Sequence, residues 1–412
     1  MRHVIVMVTS SYPRFAGDSV GTFMDPIAKS LAARGHDVHI VAPWHPLVQR
    51  RPEEDGVRFH FYRYAPLRWL NVFGHAEAMR ADVNLRLAAV LATPFALAQG
   101  WRVTRKIARR HRATMLHGHW VVPGGITAAV AVPSMPLVIS LHGSDVYVAE
   151  KLAPARLAAR TAFARAGAIT ACSDDLARRA IAIGADPARV GVVPYGVDAE
   201  RFRPDARLRG ETRASLGVSD DAALVFTAGR LVRKKGFEYL VDALASNCGP
   251  RPVVTAIAGE GDLGPELRER ARTAGVADRI RFLGRLTQDE VARHLSAADV
   301  VVVPSVRDDA GNVDGLPNVV LEALASGTPV VTTTAGGIGS VVTHGQTGLI
   351  VPERDARAIA ESIAALAGDR ARAQRIGAAA RALVQARFGW EETARRLEAA
   401  YDRALAFKSS RR

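Results

Sequence analysis

Four short segments concentrate side chains that could do chemistry. In Gly229-Arg230-Leu231-Val232-Arg233-Lys234-Lys235-Gly236, four cations fall within six residues, between two glycines. Arginine offers a planar fork to phosphate oxygens and lysine a point charge, so Arg230 and Lys235 read as a diphosphate clamp. The Walker pattern is absent, because Gly236 is followed by Phe237. In Asp314-Gly315-Leu316-Pro317-Asn318-Val319-Val320-Leu321-Glu322, Pro317 suits the first turn of a helix. Asp314 then lies in the loop before that helix. Glu322 lies about one and a half turns inside it, at roughly 3.6 residues per turn. The helix start around Leu316, Pro317 and Asn318 would offer N–H groups to a phosphate. A Glu among Leu321, Ala323, Leu324 and Ala325 is costly to bury without a partner, which points to a hydroxylated ligand.

The other two segments are quieter. His142 ends an apolar run in Leu141-His142-Gly143-Ser144-Asp145, and His117-Gly118-His119-Trp120 precedes it. No carboxylate at matching spacing completes a metal site with these histidines, so no metal is expected. Gly17 and Gly21 fall in the loop Ser11–Gly21, where backbone N–H groups could face an anion. Their spacing is not the G-x-G-x-x-G of dinucleotide sites, which argues against NAD. Asp174-Asp175, Asp220-Asp221 and Asp308-Asp309 read as caps or turns rather than as metal ligands.

Each segment follows a short apolar run, and this sets the architecture. Val4–Val8, Val38–Val41, Leu137–Leu141 and Ala168–Ala171 read as strands buried on both faces. Helical stretches such as Phe23–Arg34, closed by Gly35, alternate with them. The pattern restarts with Leu224–Ala228, Val253–Ala258, Ile280–Leu283, Val300–Val303 and Val330–Thr332. Strand–helix–strand repetition requires doubly wound parallel sheets. The polar stretch Arg201–Asp221 reads as the linker. The expected domains are 1–205, 206–387 and a terminal helical segment 388–412 set off from Ala358–Ala386 by Phe388-Gly389-Trp390. Ligands of open parallel sheets bind beyond the carboxyl ends of the strands, where the four segments lie.

A chain of 412 residues suits two domains. Its balance of 48% hydrophobic and 23% charged residues excludes disorder throughout. Two cysteines, Cys172 and Cys248, are too few for a disulfide framework and fit a reduced, cytoplasmic protein. Residues 1–8 lack a cleavage site for a leader, and the uncharged stretch 113–144 contains Pro123, Pro133 and Pro136, which argues against a membrane span. The net charge of +14 is uneven: residues 1–205 hold 26 basic against 16 acidic residues, the rest 29 against 25. Tyr62, Tyr64, Trp69, Leu70 and Phe73 interleave with Arg63 and Arg68, ahead of Leu85–Trp101 and the cationic stretch Arg102–Arg112. Two readings of this segment stay open, a domain helix with solvated arginines and peripheral docking on the anionic inner face of the plasma membrane, since basic amphipathic segments with aromatic residues bind such surfaces; nucleic acid is not expected.

Taken in order, these motifs resemble the retaining glycosyltransferases of family 4, over nearly the whole chain. Asp314 and Glu322 match the family's acidic pair at the donor site, with Asp in the place where Glu is more frequent. Arg230 and Lys235 resemble its diphosphate-binding pair. Pro194-Tyr195-Gly196-Val197-Asp198, Gly259-Glu260-Gly261-Asp262, Phe282-Leu283-Gly284 and Ala298-Asp299 are similar to further signatures. One departure is that Gly339 and Ser340 follow Gly336-Gly337-Ile338, where the family usually has Pro and Glu; this bears on which sugar is carried.

The resemblance implies a GT-B fold, two Rossmann-like α/β domains facing a cleft, with the last helix crossing back to the first domain. It implies a metal-independent, retaining hexosyltransferase without cofactor, in cell-surface polysaccharide or glycolipid biosynthesis. The co-substrate would be a nucleoside diphosphate sugar, UDP- or GDP-linked, and the acceptor a saccharide or lipid-linked hydroxyl. His142, Asp314 and Glu322 would be catalytic. Gly21, Arg230, Lys235, Leu316, Pro317 and Asn318 would hold the diphosphate. Gly259, Gly261, Arg285, Leu286 and Glu322 would hold the nucleotide, and Gly17, His119 and Trp120 would face the acceptor. A nucleotide-sugar epimerase of the same fold and a non-catalytic nucleotide-sugar scaffold are the competing readings. A phosphorylase would need a pyridoxal phosphate lysine.

Overall fold

In a computed structural model of the chain, the apolar runs become two parallel sheets, each in its own compact unit. The structure describes every residue except Met1, Ser19, 66–70, 72–73, 75–78, 81–83, Arg86, Asn247 and 411–412; of 79–80, 84–85 and 87–90 it describes only the backbone. Arg68, Trp69, Leu70 and Phe73, counted above toward a membrane-facing segment, lie outside the described residues.

The first unit comprises Met1–Tyr195 and Trp390–Arg412. Its strands are β1 (Val4–Val8), β2 (Asp37–Pro43), β3 (Glu53–Glu54), β4 (Val57–Tyr62), the short antiparallel pair β5 (Met79–Arg80) and β6 (Asn84–Leu85), β7 (Met115–His119), β8 (Leu137–Leu141), β9 (Ala168–Ala171) and β10 (Val190–Val192). The main sheet runs β10-β9-β8-β7-β1-β2-β4-β3, parallel except for the hairpin between β3 and β4. The chain winds from β1 outward through β2 to β4. It then returns to β7, on the other side of β1, and winds out to β10. The switch point therefore falls between β1 and β7, and loops leaving their carboxyl ends diverge there to open a crevice.

The second unit, Gly196–Gly389, repeats the plan. Its strands β11 (Ala223–Ala228), β12 (Val253–Ala258), β13 (Ile280–Gly284), β14 (Val300–Val303), β15 (Val330–Thr332) and β16 (Leu349–Ile350) are all parallel, in the order β13-β12-β11-β14-β15-β16. Its switch point lies between β11 and β14. The strand core of Val225, Ile257, Val300, Val302 and Val331 is covered by Phe237, Leu240 and Leu244 of the helix Phe237–Leu244 and by Ile359 and Ile363 of the helix Ala356–Gly368.

Three boundaries differ from the sequence reading. The expected linker is in part the helix Ala206–Ser215, inside the second unit. Its polarity has a structural cause. Arg209 and Arg213 pair with Asp299 at 2.6 and 3.0 Å, and the Asp299 carboxylate also accepts from the Leu224 amide at the start of β11. An ion pair thus takes the place of an apolar face. The units divide at Tyr195/Gly196 and Gly389/Trp390 rather than after 205 and 387. The stretch Ala358–Ala386 belongs to two helices, Ala356–Gly368 and Arg370–Arg387, because Asp369 accepts from the Arg372 amide and caps the second. The last helix, Trp390–Ser409, buries Ala394, Leu397, Ala400, Tyr401 and Ala404 in the core of the first unit, with Met7 and Val138.

Candidate active site

The topology places the four chemical segments at the two switch points, and each half is built differently. In the second unit, the cationic turn leaves β11 and the Asp314 segment leaves β14, next to it. Gly236 makes this approach possible. It is left-handed (φ 65°), and a Cβ there would stand 2.0 Å from the Pro304 carbonyl oxygen. Gly336 (φ 65°) packs as closely on the Asp314 carbonyl oxygen, where a Cβ would stand 1.8 Å away.

The four cations divide by direction. Lys234 and Lys235 turn inward onto Asp314, with Nζ–Oδ distances of 3.2 and 2.5 Å. Arg233 turns outward to Glu266 at 2.6 Å. Arg230 is exposed. Burial by itself would raise the Asp314 carboxyl, but Lys235 and Lys234 outweigh it and hold the group far below the usual carboxylate range. Two ammonium groups on one carboxylate leave a net charge of about +1, a pre-built site for an anion. Pro317 is the cap residue of the helix Asn318–Ala325 rather than part of its first turn, and its own side chain makes no cap hydrogen bond. Glu322 sits inside the same helix. Burial pushes its carboxyl up to about 7, against the opposing pull of Lys235 and then Arg201. It makes no side-chain hydrogen bond or ion pair among the described residues. The side chain is half-buried, so ligand hydroxyls could reach it and accept or donate there.

The nucleotide-side residues follow β12 and β13. The Gly259 amide donates to the Gly284 carbonyl at 2.7 Å, the Leu231 amide donates to the Glu260 carbonyl at 2.9 Å, and Gly261 starts the turn into the helix Gly264–Thr273. These bonds extend the ladder past the strand ends and fix the loops of β11, β12 and β13 to one another. Arg285 is exposed and stands 3.6 Å from Glu260, while Leu286 is half-buried. Leu316 and Pro317 are buried and Asn318 is half-buried.

At the switch point of the first unit, the loop after β1 is tied by a buried, two-pronged pair. Arg14 Nε and Nη2 donate to Asp18 at 2.7 and 3.0 Å, and the Arg14 amide donates to the same carboxylate. Gly21 (φ 62°) leads into the helix Met24–Ala33. Gly17 stands exposed at the loop tip, with nothing within 4 Å of where a side chain would begin. His142, after β8, has both ring nitrogens engaged: Nε2 lies 3.0 Å from His119 Nδ1, and Nδ1 lies 2.9 Å from the Tyr195 hydroxyl. Phe23 and Trp120 cover its ring, with centroids 4.7 and 4.6 Å away. Behind it, His117 bonds Ser140 and Tyr401. Burial drives His142 down to about 3, with a smaller push from His117, and burial alone takes His117 to about 3. These histidines are neutral at working pH and form a hydrogen-bonded aromatic wall. Asp145 holds the turn by accepting from the amides of Val121 (2.7 Å) and Gly143 (2.9 Å).

Sequence reading passed over Lys234, the Arg14–Asp18 pair, Phe23, Tyr195 and Asp145. Lys234 belongs to the cationic run, and Asp145 and Tyr195 to motifs quoted above, but nothing in those segments says which side chains face inward. A groove of about 770 Å³ lies at the opposite, amino-terminal ends of the first unit's strands. Arg34–Glu398 (2.7 Å) and Arg58–Asp37 (2.6 Å) pair within it, and it lies away from that unit's switch point.

Two parallel-sheet units, each with an equipped switch point, define a GT-B architecture. Solved structures show the same fold: sucrose-phosphate synthase of Thermosynechococcus elongatus (TM-score 0.79, 21% identity, 98% of this chain and 100% of that one) and Anabaena HepE in complex with UDP (TM-score 0.75, 20% identity, 98% and 100%). Two family descriptions match, "Glycosyltransferase Family 4" over residues 20–201 and "Glycosyl transferases group 1" over residues 209–383. TuaC of Bacillus subtilis, whose name places it in teichuronic acid biosynthesis as a glycosyltransferase, is 30% identical over 378 residues, 87% of this chain and 88% of that protein. A GDP-mannose-dependent alpha-(1-6)-phosphatidylinositol monomannoside mannosyltransferase of Mycobacterium tuberculosis is 39% identical over 207 residues. That match takes in 50% of this chain and spans about half, 54%, of the mannosyltransferase. A D-inositol 3-phosphate glycosyltransferase of Catenulispora acidiphila is 35% identical over 313 residues, 71% of this chain and 72% of that enzyme. The chain belongs to glycosyltransferase family 4.

Proposed function

We propose that the protein transfers a hexose from a nucleoside diphosphate sugar to a hydroxyl acceptor, with retention of anomeric configuration and without a catalytic metal. The observation that carries this reading is the Lys234–Asp314–Lys235 cluster, beside the start of the helix Asn318–Ala325 and Glu322, whose side chain makes no hydrogen bond or ion pair among the described residues. As the bond from the anomeric carbon to the diphosphate breaks, negative charge grows on the leaving group. Preorganised cations and amides that meet this charge lower the barrier. Lys234 and Lys235 are held in place by Asp314 before the donor arrives, with Arg230 at the rim. Asp314 and Glu322 are the acceptors for hydroxyls, Asp314 on the sugar side and Glu322 on the ribose. Neutral His142 contributes shape and a hydrogen-bonded surface rather than charge.

The acceptor is proposed to be anionic, and in part lipid-linked, which would place the protein in cell-surface glycan or glycolipid assembly. The relatives' names point to phosphatidylinositol, inositol phosphate and teichuronic acid, all of which carry negative charge, and the excess of basic residues lies in 1–205. The helix Leu87–Arg110 supports this with an outward stripe in which exposed Leu91, Phe95 and Trp101 give way to Arg102, Arg105, Lys106 and Arg109. No helix of the described residues is long and apolar enough to cross a membrane, so such contact would be peripheral.

The test is a donor panel headed by GDP-mannose, with UDP- and other GDP-sugars, read as release of nucleoside diphosphate with and without acceptor. Acceptor-dependent release supports transfer. Interconversion of the sugar nucleotide without release would replace transfer with epimerisation, and failure to bind any nucleoside diphosphate would leave a scaffold. Flotation with anionic vesicles at low salt tests docking, and absence of binding removes it.

A further inference from the structure

The first unit carries a second group of histidines that the transfer reaction does not use. His39 lies on β2 and His60 on the neighbouring β4. The parallel register sets Val41 opposite His60, so His39, two residues from Val41, projects from the same face of the sheet. His111 follows directly on the helix Leu87–Arg110, which packs over this part of the sheet. Three elements far apart in sequence thus deliver three imidazoles to one point. His39 Nδ1 and His60 Nε2 are 3.0 Å apart, and the candidate ligand atoms of all three residues lie within 4.8 Å of one another. The ring centroids of His39 and His111 are 4.2 Å apart.

We propose that His39, His60 and His111 form a binding site for a zinc-class divalent transition metal, separate from the sugar-transfer site. Imidazole nitrogens suit zinc, nickel and copper, whereas magnesium and calcium prefer oxygen. Ligand nitrogens around a tetrahedral zinc, each about 2.0–2.1 Å from the ion, stand about 3.3 Å apart. The 3.0 Å pair needs almost no adjustment to reach that spacing, and the third ring needs a shift of no more than about 1.5 Å.

The surroundings provide the support that metal sites require. His39 turns Nδ1 toward His60 and leaves Nε2 buried, without a hydrogen bond and 3.3 Å from an Asp37 carboxylate oxygen. A small rotation of the ring on metal binding would align that nitrogen with Asp37, and a carboxylate so placed fixes the tautomer of a ligating histidine and raises its basicity. Arg58 is the cation nearest to this carboxylate. It is already paired, with Asp37 at 2.6 Å and Glu53 at 3.1 Å. Arg110 adjoins His111 and lies toward solvent. His39 is buried while His60 and His111 are half-exposed, so the ion has a path in and the fourth coordination position opens toward water. Three protein nitrogens with an open position are the ligand set of zinc sites that take up an exchangeable fourth ligand. The site would tie β2 and β4 to the end of the helix that carries the exposed apolar and basic stripe.

The test uses the purified full-length protein, stripped with chelator and titrated with Zn²⁺ and, separately, Co²⁺. One ion per chain by elemental analysis is expected, with the visible bands of tetrahedral Co²⁺ and a rise in melting temperature. His111→Ala, at a half-exposed position at the end of its helix, should abolish the Co²⁺ bands while retaining the wild-type circular dichroism. Asp37→Asn should weaken affinity about tenfold to a hundredfold. Equal metal uptake by wild type, His60→Ala and His111→Ala would overturn the site, as would no uptake by wild type. None of these readouts depends on glycosyl transfer.

Discussion

The two switch points occupy equivalent places in equivalent folds, yet they differ in kind. The one between β11 and β14 is ionic: Lys234 and Lys235 pair with Asp314, and the side chain of Glu322 makes no hydrogen bond or ion pair among the described residues. The one between β1 and β7 is neutral: His142, His119, Tyr195, Phe23 and Trp120 are joined by hydrogen bonds and ring contacts, and burial keeps the histidines uncharged. Topology therefore decides where a ligand binds, and the residues following each strand decide what it can be. The charged end suits a diphosphate. The neutral end suits sugar rings, whose apolar faces stack on aromatic groups and whose hydroxyls find acceptors.

Predictions from this contrast run from large effects to small. Lys235→Ala and Glu322→Ala should each lower kcat by two to three orders of magnitude, on the scale of losing a main charge-stabilising contact, about 3–4 kcal/mol. Near wild-type rates in either variant would break the assignment of the ionic end to the donor. Asp314→Asn leaves two ammonium groups facing each other at low exposure. It should destabilise the ligand-free protein by about 3 kcal/mol. Nucleoside diphosphate would then raise its melting temperature more than it raises that of wild type, and an equal shift would show that the lysines do not face the diphosphate.

Glu322 has its native pKa raised to about 7 from an ordinary 4.5. The folded protein therefore holds a proton that the unfolded chain has released between these pH values, and stability falls as pH rises through that window. Glu322→Gln should melt higher than wild type at pH 8, by up to about 3 kcal/mol, and equally near pH 4. Loss of activity alongside this gain would mark the residue as kept for function at the expense of stability. In wild type, kcat/KM for the donor should rise as pH passes up through about 7, an inflection absent from the Gln variant. The smallest effect belongs to the neutral end. Tyr195→Phe removes one hydrogen bond to His142, worth about 1 kcal/mol, and should lower kcat/KM roughly fivefold without altering the pH profile. A new inflection between pH 5 and 7 would show that His142 can carry charge and would blur the contrast.

Much of the ionic end could be read from the chain. Arg230, Lys235, Asp314 and Glu322 are contiguous with strands whose apolar runs are unmistakable, and strand ends are where ligands bind. The neutral end was legible only as isolated residues, His142, His119, Trp120, Gly17 and Gly21. His142 meets Tyr195 across 53 residues, and His117 meets Tyr401 across 284. No local pattern encodes such pairs. The helix Ala206–Ser215 was missed for a related reason: its arginines are satisfied by Asp299, 86 residues or more away.

By itself, the sequence determined the alternation of apolar strands and helices, hence two parallel sheets, and it placed the cations and carboxylates after particular strands. These are local properties, set by the period of the side chains and by the short reach of a loop. Only the tertiary structure decided which lysines turn inward, that Asp314 holds both of them, that both His142 nitrogens are occupied, and that His39, His60 and His111 converge. Those outcomes depend on strand order and register, which bring together residues that the chain keeps far apart.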